Sequence, residues 1–124
     1  MMADASLIAI VDDDVSVRQS LPDLVRHFGF KVQAFVSAEE FLASDCVDRT
    51  KCLILDIAMP GMSGPDLQRE LARRGQKIPI VFITGQADPD LRRQLLAEGA
   101  VDCLFKPINT TALLKALNTA LGLS

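Results

Sequence analysis

With 124 residues the chain has the commonest length for one domain with its own core. Hydrophobic residues make up 49% and charged ones 23%, the balance of an ordinary soluble globular protein rather than a disordered one. A formal net charge of −3 supplies no basic surface for a phosphate backbone, so direct nucleic-acid binding by this segment is not expected.

Leu7 to Val11 is an apolar run that stops at Asp12, Asp13 and Asp14, a strand that delivers acids to its end. Val15 to Phe28 follows with Val17, Leu21, Leu24, Val25 and Phe28 near helical spacing and Gly29 as the stop. Pro22 interrupts that pattern, and the lost backbone donor predicts a kink or a shortened helix. Lys31 to Val36 is a short strand, after which Ser37 and Glu40 form a capping box over a brief helix with Phe41 and Leu42 inward. Asp45 to Lys51 is a polar loop. Cys52-Leu53-Ile54-Leu55 then makes a buried strand that ends on Asp56 and breaks into a loop holding Pro60, Gly61 and Gly64.

Pro65 to Arg74 is a helix with Leu67 and Leu71 inward, ended by Gly75, and Ile78 to Ile83 is a fourth apolar strand closing on Thr84-Gly85. Asp88-Pro89 is a cap with proline at the first helical position, so Pro89 to Glu98 should be helix. Val101 to Phe105 is the fifth strand, ending at Lys106-Pro107, and Asn109 to Leu121 is the last helix, with Leu113, Leu114, Leu117 and Leu121 on one side. Cys46, Cys52 and Cys103 are odd in number without metal-ligand spacing, which fits reduced thiols. Neither a leader segment nor a membrane-length apolar run is present, so the expected setting is cytoplasmic, with no membrane partner.

Strands and helices that alternate with short links require parallel strands joined by right-handed crossovers, an α/β doubly wound sandwich in one domain spanning residues 1–124. In such a sheet all carboxyl ends share one edge, so the first-strand acids, Asp56, Thr84 and Lys106 are expected to crowd together. Clustered carboxylates repel and would hold protons unless a cation neutralised them. An oxygen-only set with no His or Cys suits magnesium. Lys106 and the Thr84 hydroxyl suit phosphoryl oxygens, and a carboxylate nucleophile would give an acyl phosphate.

The order Val11-Asp12-Asp13, then Asp56 with Met59-Pro60 and Gly64, then Thr84-Gly85, then Lys106-Pro107 resembles the receiver domain of bacterial response regulators, of the CheY-like superfamily. Ile83-Thr84-Gly85 and Gly99-Ala100-Val101-Asp102 are most similar to the FixJ-like group. The resemblance implies a five-stranded sheet of order 2-1-3-4-5 and Asp56 as phosphoacceptor for a sensor histidine kinase. It further implies magnesium bound directly by Asp13 and Asp56, through water by Asp12, and by the Ala58 carbonyl. Thr84 and Lys106 would hold phosphoryl oxygens, and the bond to Pro107 would be cis. Such a domain catalyses its own phosphorylation and dephosphorylation and has no metabolic substrate. It switches a face formed by the fourth helix, fifth strand and fifth helix. Where the family usually has Tyr or Phe three positions before the lysine, this chain has Cys103, so the usual ring rotation is in question and Phe105, two residues on, is the candidate replacement.

Among the remaining residues, Asp14 reads as a solvated helix-start acid, His27 as a helix-end residue, Met59 and Met62 as packing, and Arg92 and Arg93 as solvated or available to a partner. Gln86 lies where it could steer hydrolytic water. Three other functions compete: an aspartyl-phosphate phosphohydrolase, whose second acid would fall at Ala58; a flavin module, disfavoured by acids where a phosphate would sit; and a docking receiver independent of phosphorylation. FixJ-like receivers usually precede a DNA-binding domain, so the segment is a stand-alone regulator or one part of a longer protein, with dimerisation through helical faces possible.

Overall fold

The structure is a computed structural model, and it describes residues 6–86 and 88–123. Five strands, β1 (Leu7–Val11), β2 (Lys31–Phe35), β3 (Thr50–Asp56), β4 (Ile80–Thr84) and β5 (Asp102–Phe105), alternate with five helices, α1 (Val15–His27), α2 (Ala38–Ala43), α3 (Gly64–Arg73), α4 (Pro89–Ala97) and α5 (Thr110–Leu121). A single 3₁₀ turn, Val47–Arg49, precedes β3. All strands pair in parallel in the order β2-β1-β3-β4-β5.

The central strands alternate between two apolar layers, as a period of two requires. Ala9, Val11, Leu53, Leu55, Phe82 and Cys103 pack with Phe41, Leu67, Leu71 and Leu95 from α2, α3 and α4. Ile8, Ile10, Cys52, Ile54, Val81 and Ile83 pack with Leu21, Val25, Leu113 and Leu117 from α1 and α5. Both faces of the sheet are covered, which is why the central strands read as unbroken apolar runs.

Each helix starts on a side-chain cap: Asp14 accepts from the Ser16 amide, Ser37 from Glu40, Ser63 from Asp66, Asp88 from Leu91 and Asn109 from Ala112. Ser63 and Asp66 close a full capping box that the sequence reading did not single out. The box expected at Ser37 closes differently, because the Glu40 carboxylate accepts from the Val36 amide at 3.1 Å instead of from Ser37.

Pro22 does not shorten α1, which runs on to His27. The missing donor costs one bond, to the Arg18 carbonyl, and burial of Leu21, Pro22 and Val25 in that turn offsets it. In α5, Leu113, Ala116 and Leu117 are buried, whereas Leu114 points away from both apolar layers, among Thr111, Lys115 and Asn118. No helix among the described residues is long and apolar enough to cross a membrane.

Candidate functional site

The carboxyl ends of β1, β3 and β5 converge. Asp12, Asp13 and Asp56 each place a carboxylate oxygen within 4.8 Å of the others, and the Lys106 ammonium lies 3.1 Å from Asp12 Oδ2 and 3.8 Å from Asp56 Oδ1. Asp12 is wholly buried and Asp56 is 6% exposed, while Asp13 faces solvent.

Asp12 is locked from several directions. Its Oδ1 accepts from the Asp14 amide at 2.9 Å, its own amide donates to the Phe35 carbonyl, and its carbonyl accepts from the Arg18 guanidinium at 2.9 Å. Its Oδ2 is buried without a hydrogen-bond donor. The 3.1 Å approach of Lys106 is therefore an ion pair lacking hydrogen-bond geometry, and the oxygen keeps a free lone pair. A buried carboxylate oxygen with no donor, beside two more carboxylates, fits a hard cation bound through oxygen.

The electrostatics agree with that fit. Burial pushes the Asp56 carboxyl up to about 7, and the neighbouring Asp12 and Asp13 push in the same direction against the pull of Lys106. Burial works to lower the Lys106 pKa, yet the Asp12 carboxylate at 3.1 Å and the Asp56 charge outweigh it and leave it raised. At this edge the lysine is cationic, and Asp56 without a cation keeps its proton to a higher pH than a free carboxyl does.

Thr84, at the end of β4, is engaged locally. Its hydroxyl accepts from the Gln86 amide at 3.1 Å and lies 3.3 Å from the Gln86 carbonyl. Ala58 is exposed on the loop after β3, and the Lys106–Pro107 peptide is cis.

Gly64 shows how tightly that loop returns to the strand. A Cβ there would stand 2.4 Å from the Asp56 carbonyl and 3.0 Å from Phe82, so only glycine lets α3 start beside the Asp56 backbone.

Residues 8–118 match the response regulator receiver domain family. The chain belongs to that family. It is 46% identical over 115 residues to nodulation protein W of Bradyrhizobium diazoefficiens, covering 93% of this chain and 51% of that one. It is 44% identical over 120 residues to the response regulator protein TodT of Pseudomonas putida, covering 97% of this chain and 53% of that one. Among solved structures, the receiver superposes on FixJ-N with a TM-score of 0.85 at 36% identity, covering 98% of this chain and 96% of that one. The chain spans about half the length of the curated relatives it matches.

Receiver residues read as bystanders fall into two groups. Asp14 caps α1, and its Ser16 hydrogen bonds hold its carboxyl below the usual range. Met59 is buried, Met62 packs against the same layer and His27 is exposed at a helix end.

Arg92 departs from the solvated reading. It reaches from α4 to β5, donating to Asp102 at 2.8 Å and to the Cys103 carbonyl at 3.4 Å, while Asp102 Oδ1 also accepts from the Cys103 amide at 2.7 Å. The signal available in sequence was the arginine ten residues before an acid, on a helix that returns to the strand carrying that acid. Cys103 is 3% exposed in the α3/α4 layer, whereas Phe105 is 41% exposed. Burial raises the Cys103 thiol pKa, with Arg92 opposing and Asp102 adding to the rise.

Proposed function

We propose that this receiver is a magnesium-dependent phosphoaspartate switch that takes a phosphoryl group from a sensor histidine kinase onto Asp56. One observation carries the reading: a 6%-exposed carboxylate at a strand tip, with Asp12 and Asp13 oxygens within 4.8 Å and a lysine ammonium at 3.8 Å. Asp13, Asp56, Asp12 through water and the Ala58 carbonyl would hold the cation. When bound, magnesium supplies the positive charge that lets the three carboxylates ionise together and offsets the charge of incoming phosphoryl oxygens.

An Asp56 oxygen attacks the phosphorus of a phosphohistidine. The phosphorus–nitrogen bond breaks, its electron pair leaves with the imidazole, and an acyl phosphate remains on Asp56. Lys106 transfers its charge from the Asp12–Asp56 pair to a phosphoryl oxygen. Thr84 exchanges its weak 3.3 Å contact to the Gln86 carbonyl for a second phosphoryl oxygen. Hydrolysis reverses the state when water attacks phosphorus and the Asp56 carboxylate departs with its electrons.

The moved ends of β4 and β5 would repack the α4–β5–α5 face and so act on an output domain, a downstream protein or a second copy. Cys103 cannot swing as a ring would. Phe105, on the same side of β5 by parity, is the remaining aromatic there, and an identical Phe105 rotamer with and without a phosphoryl mimic would exclude it. The cytoplasm, where such kinases present their phosphohistidine, is the proposed location.

Incubation with magnesium and acetyl phosphate, followed by intact mass, should show one labile phosphate adduct on the parent chain and none on Asp56→Asn. An adduct that persists in Asp56→Asn would refute the assignment. Turnover of many phosphomonoesters would point to a phosphohydrolase instead.

A further inference from the structure

The loop from β3 to α3 is fastened at its two ends. The Gly64 amide donates to the Ile57 carbonyl at 2.9 Å, and the Ser63 amide to Asp66 at 3.1 Å. Between them, one bond ties the loop backbone at 58–62 to the rest of the described residues: the Met62 amide donates to Glu39 Oε2 at 3.0 Å, across 23 residues of chain. The same carboxylate lies over Gly61, where φ is +74° and a Cβ would stand 2.7 Å from Glu39 Oε2.

Glu39 projects from the first turn of α2, whose anchors Ala38 and Phe41 are fully buried and whose start is capped by Ser37. The carboxylate is thus a strut from a fixed base to the α3 side of a loop whose Met59 and Met62 side chains pack on the apolar layer but whose backbone has no other lateral hydrogen bond among the described residues. Its neighbour Glu40 instead binds the Val36 amide on its own side.

We propose that Glu39 is a positioning residue for the phosphoacceptor site, holding the β3–α3 loop so that its carbonyl edge stays in register with Asp56 for cation binding. The inference rests on the phosphoacceptor reading above. It assigns to an exposed acid on α2 a role in the chemistry at the end of β3. Loss of the strut lets the loop sample other arrangements, and the cation then binds only the fraction that is competent, which weakens its apparent affinity by that fraction.

The test compares Glu39→Ala, Glu39→Gln and Glu40→Ala with the parent, each checked for native far-UV circular dichroism. Three quantities are read: Met62 amide exchange in metal-free protein by NMR, the magnesium dissociation constant by calorimetry, and the rate of labelling by acetyl phosphate against magnesium concentration. Glu39→Ala should speed Met62 exchange and raise the magnesium constant by about fivefold, the size expected for one lost hydrogen bond whose charge is screened by solvent. The labelling rate at saturating magnesium should stay within about twofold, because the reacting groups are untouched. Glu39→Gln, which keeps an acceptor oxygen, should restore most of the affinity.

Glu40→Ala removes the same charge from the same helix and should leave the magnesium constant unchanged. An unchanged magnesium constant in Glu39→Ala, or an equal rise in Glu40→Ala, would overturn the strut. A parent chain that takes no label would overturn the phosphoacceptor reading itself, which separates the two failures.

Discussion

Replacing Asp56 with asparagine should make the metal-free receiver more stable, by an amount that depends on pH. The carboxyl is displaced from 3.8 to about 7 by burial and by the adjacent Asp12 and Asp13. Because the folded-state value lies above the unfolded one, the native protein binds the extra proton between about pH 4 and pH 7. The stability that proton confers is complete below the unfolded value and is lost as pH rises through the folded value. A displacement of about three units at about 1.4 kcal/mol each sets a ceiling of about 4 kcal/mol on the cost of ionising Asp56 in the folded chain. Asparagine matches the protonated acid in shape and never ionises, and the 3.8 Å attraction to Lys106 is already contained in that displacement. With the ceiling discounted for relaxation and water around the charge, a gain of about 2–3 kcal/mol is expected at pH 8. The chain has neither Trp nor Tyr, so the assay is urea unfolding followed by far-UV circular dichroism, in chelator, from pH 4.5 to 8. The gap between variant and parent should widen steadily up to about pH 7 and then level off. Saturating magnesium should narrow it by stabilising the parent through binding to the native state alone. A variant no more stable than the parent at pH 8, or a gap independent of pH, would refute the claim that Asp56 is strained by its neighbours.

Three further outcomes follow from the same geometry. Lys106→Met leaves the fully buried Asp12 without its cation and should cost about 2 kcal/mol in urea melts without metal, the usual penalty discounted because the lysine is partly exposed. Gly64→Ala drives a methyl into the backbone carbonyl of Asp56 and the fully buried Phe82 ring, and should cost about 3 kcal/mol or more while also slowing phosphorylation. In a double-mutant cycle on Arg92→Ala and Asp102→Asn, the α4–β5 ion pair at 2.8 Å should show a coupling of about 0.5–1 kcal/mol that shrinks with added salt, since both side chains are part-exposed.

What could be read in the sequence was what local pattern and topology determine together. The run Cys52 to Leu55 ending on Asp56 is a strand wherever it is placed, and alternation with short links leaves parallel pairing as its only economical arrangement. From there the meeting of Asp12, Asp56 and Lys106 is a consequence of all carboxyl ends sharing one edge. The contacts that went unread depend on side-chain reach between elements. Helical spacing puts Arg92 at the margin of the apolar stripe of α4, and nothing local says that its guanidinium turns in to Asp102 and the Cys103 carbonyl. Glu39 looks like any first-turn acid until β3 and α2 are brought together and the Met62 amide arrives. Pro22 fails to shorten α1 for a different reason: helix propensity is a local cost, and the buried turn around Leu21 and Val25 outweighs it.

The residues that break the rules of stability are the ones that mark the function. A wholly buried acid with an oxygen lacking a donor, and a second acid pushed to about 7, are poor choices for a core. A sequence free to optimise folding would place an apolar side chain or a paired amide at the end of β1 or β3. That it keeps both acids beside Lys106 supports the proposed switch, in which the folded chain holds charge in reserve for a cation and for a group that brings negative charge. In the proposed switch, folding, cation binding and phosphoryl capture are linked through one set of oxygens. The strain of the metal-free state is what a cation bound to the native chain would relieve in that switch, and that relief is the source of the predicted magnesium dependence of stability.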